Sequence, residues 1–308
     1  MFDLSARPML ATPSTSAGGR RAIDIQSLTA THIFDLKMDG VRAFFFWDGS
    51  RATIMNRNGV NVTYKFPELV TAAEQYFDLP VWLDGEIVCD TGRFEDTLTR
   101  DKQASPAAAL AASTRVPVKF HAFDWPAWHE YGWHPRRYAL NQFLSDLPDN
   151  VPFVGTLMSG ESDFLQHTRE AGLEGVIAKN VMPSLSRYQF GARSKSWVKF
   201  KTTRRLTCLV SGYEPGTGSR AHFGKMNLAL ITSDGTVTSC GAVGTGFTHA
   251  EIWELKKLLD AGQILVVEIE ALNKTGTNQL RFPVYRGIRS DLDPSQCTFD
   301  QLDEFPRC

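Results

Sequence analysis

Phe34-Asp35-Leu36-Lys37-Met38-Asp39-Gly40-Val41-Arg42 sets one lysine in an apolar run, hemmed by two aspartates, a glycine and an arginine. Extended backbone turns successive side chains to opposite faces. Asp35, Lys37 and Asp39 then share a charged face, and Phe34, Leu36 and Met38 turn to a core. Gly40 admits close backbone approach or a tight turn. The run Phe44-Phe45-Phe46-Trp47 that follows is too apolar for an exposed edge, so the strand after Lys37 is expected to be buried. An ion-paired surface lysine is the commoner fate of such a residue. A lysine presented from a buried sheet into a cleft differs, because desolvation disfavours the ammonium and frees the amine as a nucleophile.

Working outward, residues 1 to about 30 are rich in Ser, Thr, Ala and Gly and read as an extended lead-in, with Pro8-Met9-Leu10-Ala11 a loop. Strands are expected over Thr31–Trp47 and Ala52–Met55, turned at Asp48-Gly49 and closed by Asn56-Arg57-Asn58-Gly59. A helix opens at Phe66-Pro67. Val81–Val88 reads as a strand with a charged interruption, and 95–115 as helix limited by Pro106. Val118–Trp125, Gly175–Ala178 and Trp197–Phe200 read as strands, with helices over Arg136–Leu147 and Ser162–Ala171. After about residue 203 the pattern becomes three strands, a helix over His249–Leu259, then more strand, which suggests a small Greek-key barrel. The seam between domains is placed in the basic stretch Lys201–Arg205.

The 308 residues suffice for two domains. A net charge of −1 argues against attachment to nucleic acid by bulk charge but allows a local patch. That patch exists: residues 187–225 hold nine Lys and Arg against Glu214 alone, as phosphate-backbone binding requires. Cys89, Cys208, Cys240, Cys297 and Cys308 are scattered with no Cys-x-x-Cys pair. That argues against a zinc ribbon or disulfide framework and for reduced, cytoplasmic thiols. No apolar stretch reaches about 18 residues, so no membrane span is expected. The N-terminus lacks an apolar signal core.

Several polar residues stand where a bland role competes with chemistry. Arg57 is either a solvated loop arginine or a phosphate or ribose contact. Glu86, set among Leu83, Ile87 and Val88, is a strand-end carboxylate in water or one held in a cleft for a ribose hydroxyl or metal. Phe123 is core or a ring stacked on a base. Glu174, at the mouth of the apolar run Gly175–Ala178, is a turn residue or a ligand for a hard cation. Lys199 and Lys201 share one strand face, a solvated pair or an α-phosphate clamp.

Lys37-Met38-Asp39-Gly40-Val41-Arg42 resembles the Lys-x-Asp-Gly-x-Arg motif of covalent nucleotidyltransferases: DNA ligases, RNA ligases and mRNA capping enzymes. Further family motifs follow in order: Asn56–Gly59 (asparagine for the usual serine), Leu83–Val88, Phe120–Asp124, Glu174–Lys179, Trp197–Lys201 and Arg281–Leu292. Pro8–Ala11 is similar to a phrase that precedes the adenylation domain in some ligases. The chain is therefore identified as a member of the ATP-dependent DNA ligases of minimal two-domain type.

The resemblance implies an α+β chain. An ATP-grasp-like nucleotidyltransferase (adenylation) domain of antiparallel sheets with helices would cover 1–203, and an OB-fold barrel 204–308. It implies nick sealing in duplex DNA through lysyl-AMP, with ATP and Mg²⁺ or Mn²⁺, by a monomer serving replication, repair or recombination. Lys37 is then the nucleophile and Asp39 assists later steps. Asp35 reads the adenine amino group and Phe123 stacks on the base. Arg42, Arg57, Val176, Lys199, Lys201 and Arg289 contact the nucleotide, and Glu86 and Glu174 serve the metal, Glu86 also the ribose. The last motif usually ends in lysine, and here Leu292 stands in that place. An RNA ligase or capping guanylyltransferase shares the lysine motif, and a non-catalytic nucleic-acid-binding protein is the alternative of another class. The absence of a four-cysteine zinc site disfavours an NAD⁺-dependent ligase.

Overall fold

The computed structural model describes residues 2–15 and 22–306. The chain forms two compact units: Met1–Ser14 with Ile23–Phe200, and Thr15–Ala22 with Lys201–Cys308.

The first unit runs β1 (Leu10–Pro13), β2 (His32–Leu36), β3 (Val41–Trp47), β4 (Ala52–Asn56), α1 (Pro67–Tyr76), β5 (Val81–Cys89), α2 (Phe94–Asp101) and α3 (Pro106–Arg115). It continues β6 (Val118–Asp124), α4 (Trp133–Ser145), β7 (Phe153–Gly155), β8 (Met158–Ser159), α5 (Phe164–Glu170), β9 (Gly175–Asn180) and β10 (Arg193–Lys201). Two five-stranded sheets result, ordered β1-β10-β9-β2-β8 and β4-β3-β5-β6-β7. β1 with β10 and β6 with β7 pair in parallel, while β2 with β8 and β9, β3 with β4 and β5, and β5 with β6 are antiparallel. The expected loop at residues 8–11 is thus corrected: Leu10 opens a strand, because its partner β10 lies far along the chain.

Alternation on β3 sorts the aromatic run between two layers. Phe44 and Phe46 join Met9, Trp82, Tyr188 and Trp197 in one cluster, while Phe45 packs with Phe77, Phe120 and Phe153 in another that includes α1 residues Leu69, Ala72 and Ala73. Burial on both faces is why this strand tolerates no polar residue after Arg42. A third cluster joins Phe34, Val176, Ala178, Val198 and Phe200 to Phe164 and Leu165 of α5.

The lysine stretch does not stay on one strand. β2 ends at Leu36 and β3 begins at Val41 in the other sheet. Lys37–Gly40 is the crossover, so strand alternation lapses there. Leu36 and Met38, expected in the core, instead line a cleft. Gly40 is required by close approach to a neighbouring strand: a Cβ there would lie 2.2 Å from the Ile87 carbonyl oxygen of β5. Gly40→Ala is expected to cost about 1–3 kcal/mol, the usual range for overpacking. A lowered midpoint in urea unfolding checks it, and an unchanged midpoint would show that the crossover yields freely.

The second unit carries β11 (Arg204–Glu214), β12 (Lys225–Ile231), β13 (Val237–Val243), α6 (His249–Asp260), β14 (Val266–Ala271), β15 (Asn273–Lys274), β16 (Leu280–Arg281) and β17 (Val284–Ile288). Five strands form an antiparallel sheet ordered β13-β12-β11-β14-β17, and β15 pairs with β16. Register shifts at Val210/Gly212, Leu228/Ala229 and Glu268/Ile269 bend the sheet. Among the described residues the ladder does not close, since β13 and β17 remain its edges, which corrects the expected barrel. Ile252 and Leu255 of α6, with Leu302 and Phe305, complete the core instead of a closing strand pair. A reciprocal cap starts α6: Thr248 Oγ1 accepts from Glu251 N–H, and Glu251 Oε2 accepts from Thr248 N–H. Leu292 packs against this core, so the position where lysine is usual is apolar in function too.

Candidate active site

Two backbone hydrogen bonds pin the crossover. Leu36 N–H donates to Leu157 O and Lys37 N–H to Gly175 O, both at 2.8 Å. The Lys37 side chain enters a cleft of the first unit, and its Nζ pairs with Glu174. Glu174 is itself buried and immediately precedes β9.

Cross-strand register supplies the walls. Asp35 of β2 faces Ile177 of β9, and Arg42 of β3 faces Glu86 of β5; all four line the cleft. Arg57, Phe123 and Lys199 line it as well. Of the residues singled out from sequence, Lys37, Asp35, Arg42, Arg57, Glu86, Phe123 and Lys199 therefore converge, with Glu174 bonded to the lysine. Asp39 is not among the lining residues. Val176 is a correction: it is fully buried in the core with Phe34 and Phe200, because neighbours on a strand face opposite ways and Ile177 takes the cleft side. Lys201 and Arg289 lie in the second unit. There Lys201 Nζ sits 4.4 Å from the Phe282 ring centroid. Arg289 grips Asp291 with two bonds of 2.8 Å, which hold that exposed carboxyl down at about 2.

Arg42 is engaged more deeply than a free ribose or phosphate contact. Its Nε and Nη2 donate to Asp84 Oδ1 and Oδ2 at 2.8 and 2.6 Å. That pairing explains why β5 runs unbroken through Asp84, where a charged interruption was expected. Burial pushes the Asp84 carboxyl up from its ordinary value against the pull of Arg42. Burial likewise lifts Glu86 to about 7, with Lys37 and Arg42 opposing.

Sequence reasoning gave no individual role to Lys179, Trp197, Ile177, Leu10 or Ala11, all lining the cleft, and placed Arg193, which also lines it, only in the basic stripe. Lys179 pairs with Asp35, donates to Phe123 O at 2.8 Å, and lies 4.8 and 4.6 Å from the Phe123 and Trp197 ring centroids. Burial lowers its pKa, with Asp35 and Asp124 opposing. The signal was available: Ile177 and Lys179, like Trp197 and Lys199, are two residues apart and share a strand face. Asp35 Oδ1 is a buried acceptor with no hydrogen-bond donor among the described residues, the state expected of an atom that awaits a ligand N–H.

Glu86 and Glu174 fit a hard cation that takes its remaining ligands from phosphate and water. Among the described residues no group of three or more His, Cys, Asp or Glu gathers as a closed metal cage.

Residues 8–201 match the family model described as the ATP dependent DNA ligase domain. A DNA ligase of Haloarcula marismortui is 31% identical over 320 residues, covering 93% of this chain and 55% of the relative. The multifunctional non-homologous end joining protein LigD of Mycolicibacterium smegmatis is 29% identical over 310 residues, covering 87% and 37%. A solved mycobacterial DNA ligase D complexed with ATP and MES superposes with a TM-score of 0.55 at 26% identity, covering 97% of this chain and 99% of that one. The chain belongs to the ATP-dependent DNA ligase family. It spans about half the length or less of these two curated relatives. Among the described residues no helix is long and apolar enough to cross a membrane.

Proposed function

We propose that this chain seals nicks in duplex DNA with ATP, through a covalent lysyl-AMP on Lys37. The observation that carries the reading is the Lys37 amine held against Glu174 at a sheet crossover, inside a cleft lined by acids, cations and rings. Lys37 Nζ attacks the α-phosphorus of ATP, forming a P–N bond as the bond to pyrophosphate breaks. Glu174 holds the amine in place until the nucleotide arrives. AMP then passes to the 5′-phosphate of the nick, and the 3′-hydroxyl displaces it.

Phe123 and Trp197 offer ring faces to the base, and Asp35 Oδ1 accepts from its amino group. Lys199, Lys201, Arg57 and Arg289 contact phosphate, and Asp39 assists the transfers to DNA. Mg²⁺ or Mn²⁺, held by Glu86 and Glu174, would neutralise phosphate charge. Residues 1–203 form the adenylation domain on this reading, and 204–308 a domain of the OB type. Supporting the latter are the five-stranded bent sheet and the helix inserted between its third and fourth strands in sequence. The protein acts as a monomer.

The test is incubation with α-labelled ATP and Mg²⁺, followed by unlabelled nicked DNA. The expected result is an acid-labile protein label, discharged as the nick is sealed. Label from GTP alone would move the protein to the capping branch. Sealing confined to RNA would make it an RNA ligase, and no label in folded protein would leave a nucleic-acid-binding module.

A further inference from the structure

Four residues close a ring of hydrogen bonds beside the cleft. Met9 N–H donates to Tyr188 Oη at 3.0 Å, and Tyr188 O–H donates to Asp84 Oδ2 at 2.5 Å. Arg42 grips both Asp84 oxygens, and its Nη2 returns to Met9 O at 3.0 Å. Met9, Asp84 and Tyr188 are buried, at 0%, 0% and 3% exposure. Both polar groups of the Met9 backbone are thus spent inside one circuit.

The circuit bears on the cleft in two ways. Arg42 lies 4.8 Å from the Phe123 ring centroid and 5.6 Å from that of Trp197, so fixing its guanidinium fixes the cation against both rings. Met9 leads directly into Leu10 and Ala11, which line the cleft. Their strand β1 is only four residues long, and its pairing with β10 shifts register between Ala11 and Thr12. Leu10 N–H donates to Ala192 O at 2.8 Å and Arg193 Nη1 to Ala11 O at 2.6 Å, and the bond to Tyr188 anchors the residue just ahead of them.

We infer that Tyr188 is a positioning residue for nucleotide capture, its hydroxyl bridging Asp84 and Met9 so that Arg42 and the Leu10–Ala11 wall are held in place before the nucleotide arrives. The inference rests on the reading of the cleft as the ATP site. Tyr188 touches none of the reacting atoms. It acts through Asp84 and Met9, and the hydroxyl rather than the ring is what matters.

Tyr188→Phe keeps the ring, which packs edge-on to Trp197 at 5.9 Å, and removes only the hydroxyl. In single-turnover adenylylation across a range of ATP concentrations, Y188F should need about tenfold more ATP for half-maximal rate. That is the size expected for loss of one charge-assisted hydrogen bond. The rate at saturating ATP should stay within about threefold. A cycle with Asp84→Asn supplies the readout that a merely structural role would not move. If Tyr188 acts through Asp84, the double variant should shift by less than the product of the two single shifts. An unchanged ATP requirement in folded Y188F, a loss confined to the saturated rate, or shifts that multiply in the double variant would overturn the inference. Should D84N not fold, the Y188F titration alone decides. Failure of the wild type to take label from ATP would instead remove the nucleotide reading itself, and this inference with it.

Discussion

Lys37→Ala should abolish transfer of label from α-labelled ATP to the protein, a loss on the order of 10⁴-fold or more. Lys179, which shares the cleft, is buried, paired with Asp35 and bonded to the Phe123 carbonyl. Lys37→Arg sharpens the test. A guanidinium keeps the positive charge but is not deprotonated in proteins, so it cannot attack phosphorus. K37R should therefore still bind ATP in equilibrium dialysis while taking no label. Label on folded K37A would sink the assignment of the nucleophile. Loss of ATP binding in K37R would show that the amine acts chiefly as a ground-state contact.

The second large effect is on stability and lies behind the cleft. Arg136 is fully buried and makes four hydrogen bonds: to both oxygens of Asp124 at 2.6 and 3.1 Å, and to the carbonyls of Tyr131 and Ser186 at 2.7 and 2.9 Å. Arg136→Met would strand a buried carboxylate and two carbonyls. Breaking one side of a buried pair costs about 3–5 kcal/mol, roughly 10 °C in the melt of the first unit. The pH dependence gives a signature. Burial alone would raise the Asp124 carboxyl, but Arg136 and then Lys179 outweigh it and hold it below the ordinary value. A depressed carboxyl stabilises the fold fully above its unfolded pKa of about 4, and that contribution is lost as pH falls through the folded value. In R136M burial takes over and the carboxyl moves up, so protonation relieves the defect. The gap in melting temperature between wild type and variant should be wide at pH 8 and narrower at pH 5. A gap that does not change with pH would place the cost in lost packing.

What could be read from the sequence follows from how local each cause is. Phe44–Trp47 announced a strand buried on both faces because every residue in it is apolar. Lys37 stood out as the nucleophile candidate from the apolar run that follows it and from the resemblance carried by the motifs in order after it. Leu36 and Met38 were misplaced because alternation was carried past the end of β2, which nothing local marks. Val176 was misplaced for the converse reason: β9 does alternate there, and the cleft side belongs to Ile177. Lys179 and Trp197 were within reach of the same period-two rule. The strand at Leu10 and the ring through Tyr188 were not, since each depends on partners about 180 positions away. The register shifts that bend the second unit's sheet follow no residue pattern that the sequence displays.

The crossover at Lys37–Gly40 also bears on how such a chain can vary over time. The reactive amine hangs between two ladders, each registered by its own neighbours and filled by its own side chains. Peripheral turns such as Asp48–Arg51 can lengthen or shorten without re-aiming it, because neither ladder counts residues there. One residue gained or lost between Leu36 and Val41 would instead set the two sheets out of step at the amine itself. Length is therefore free at the rim of this architecture and frozen across four positions at its joint.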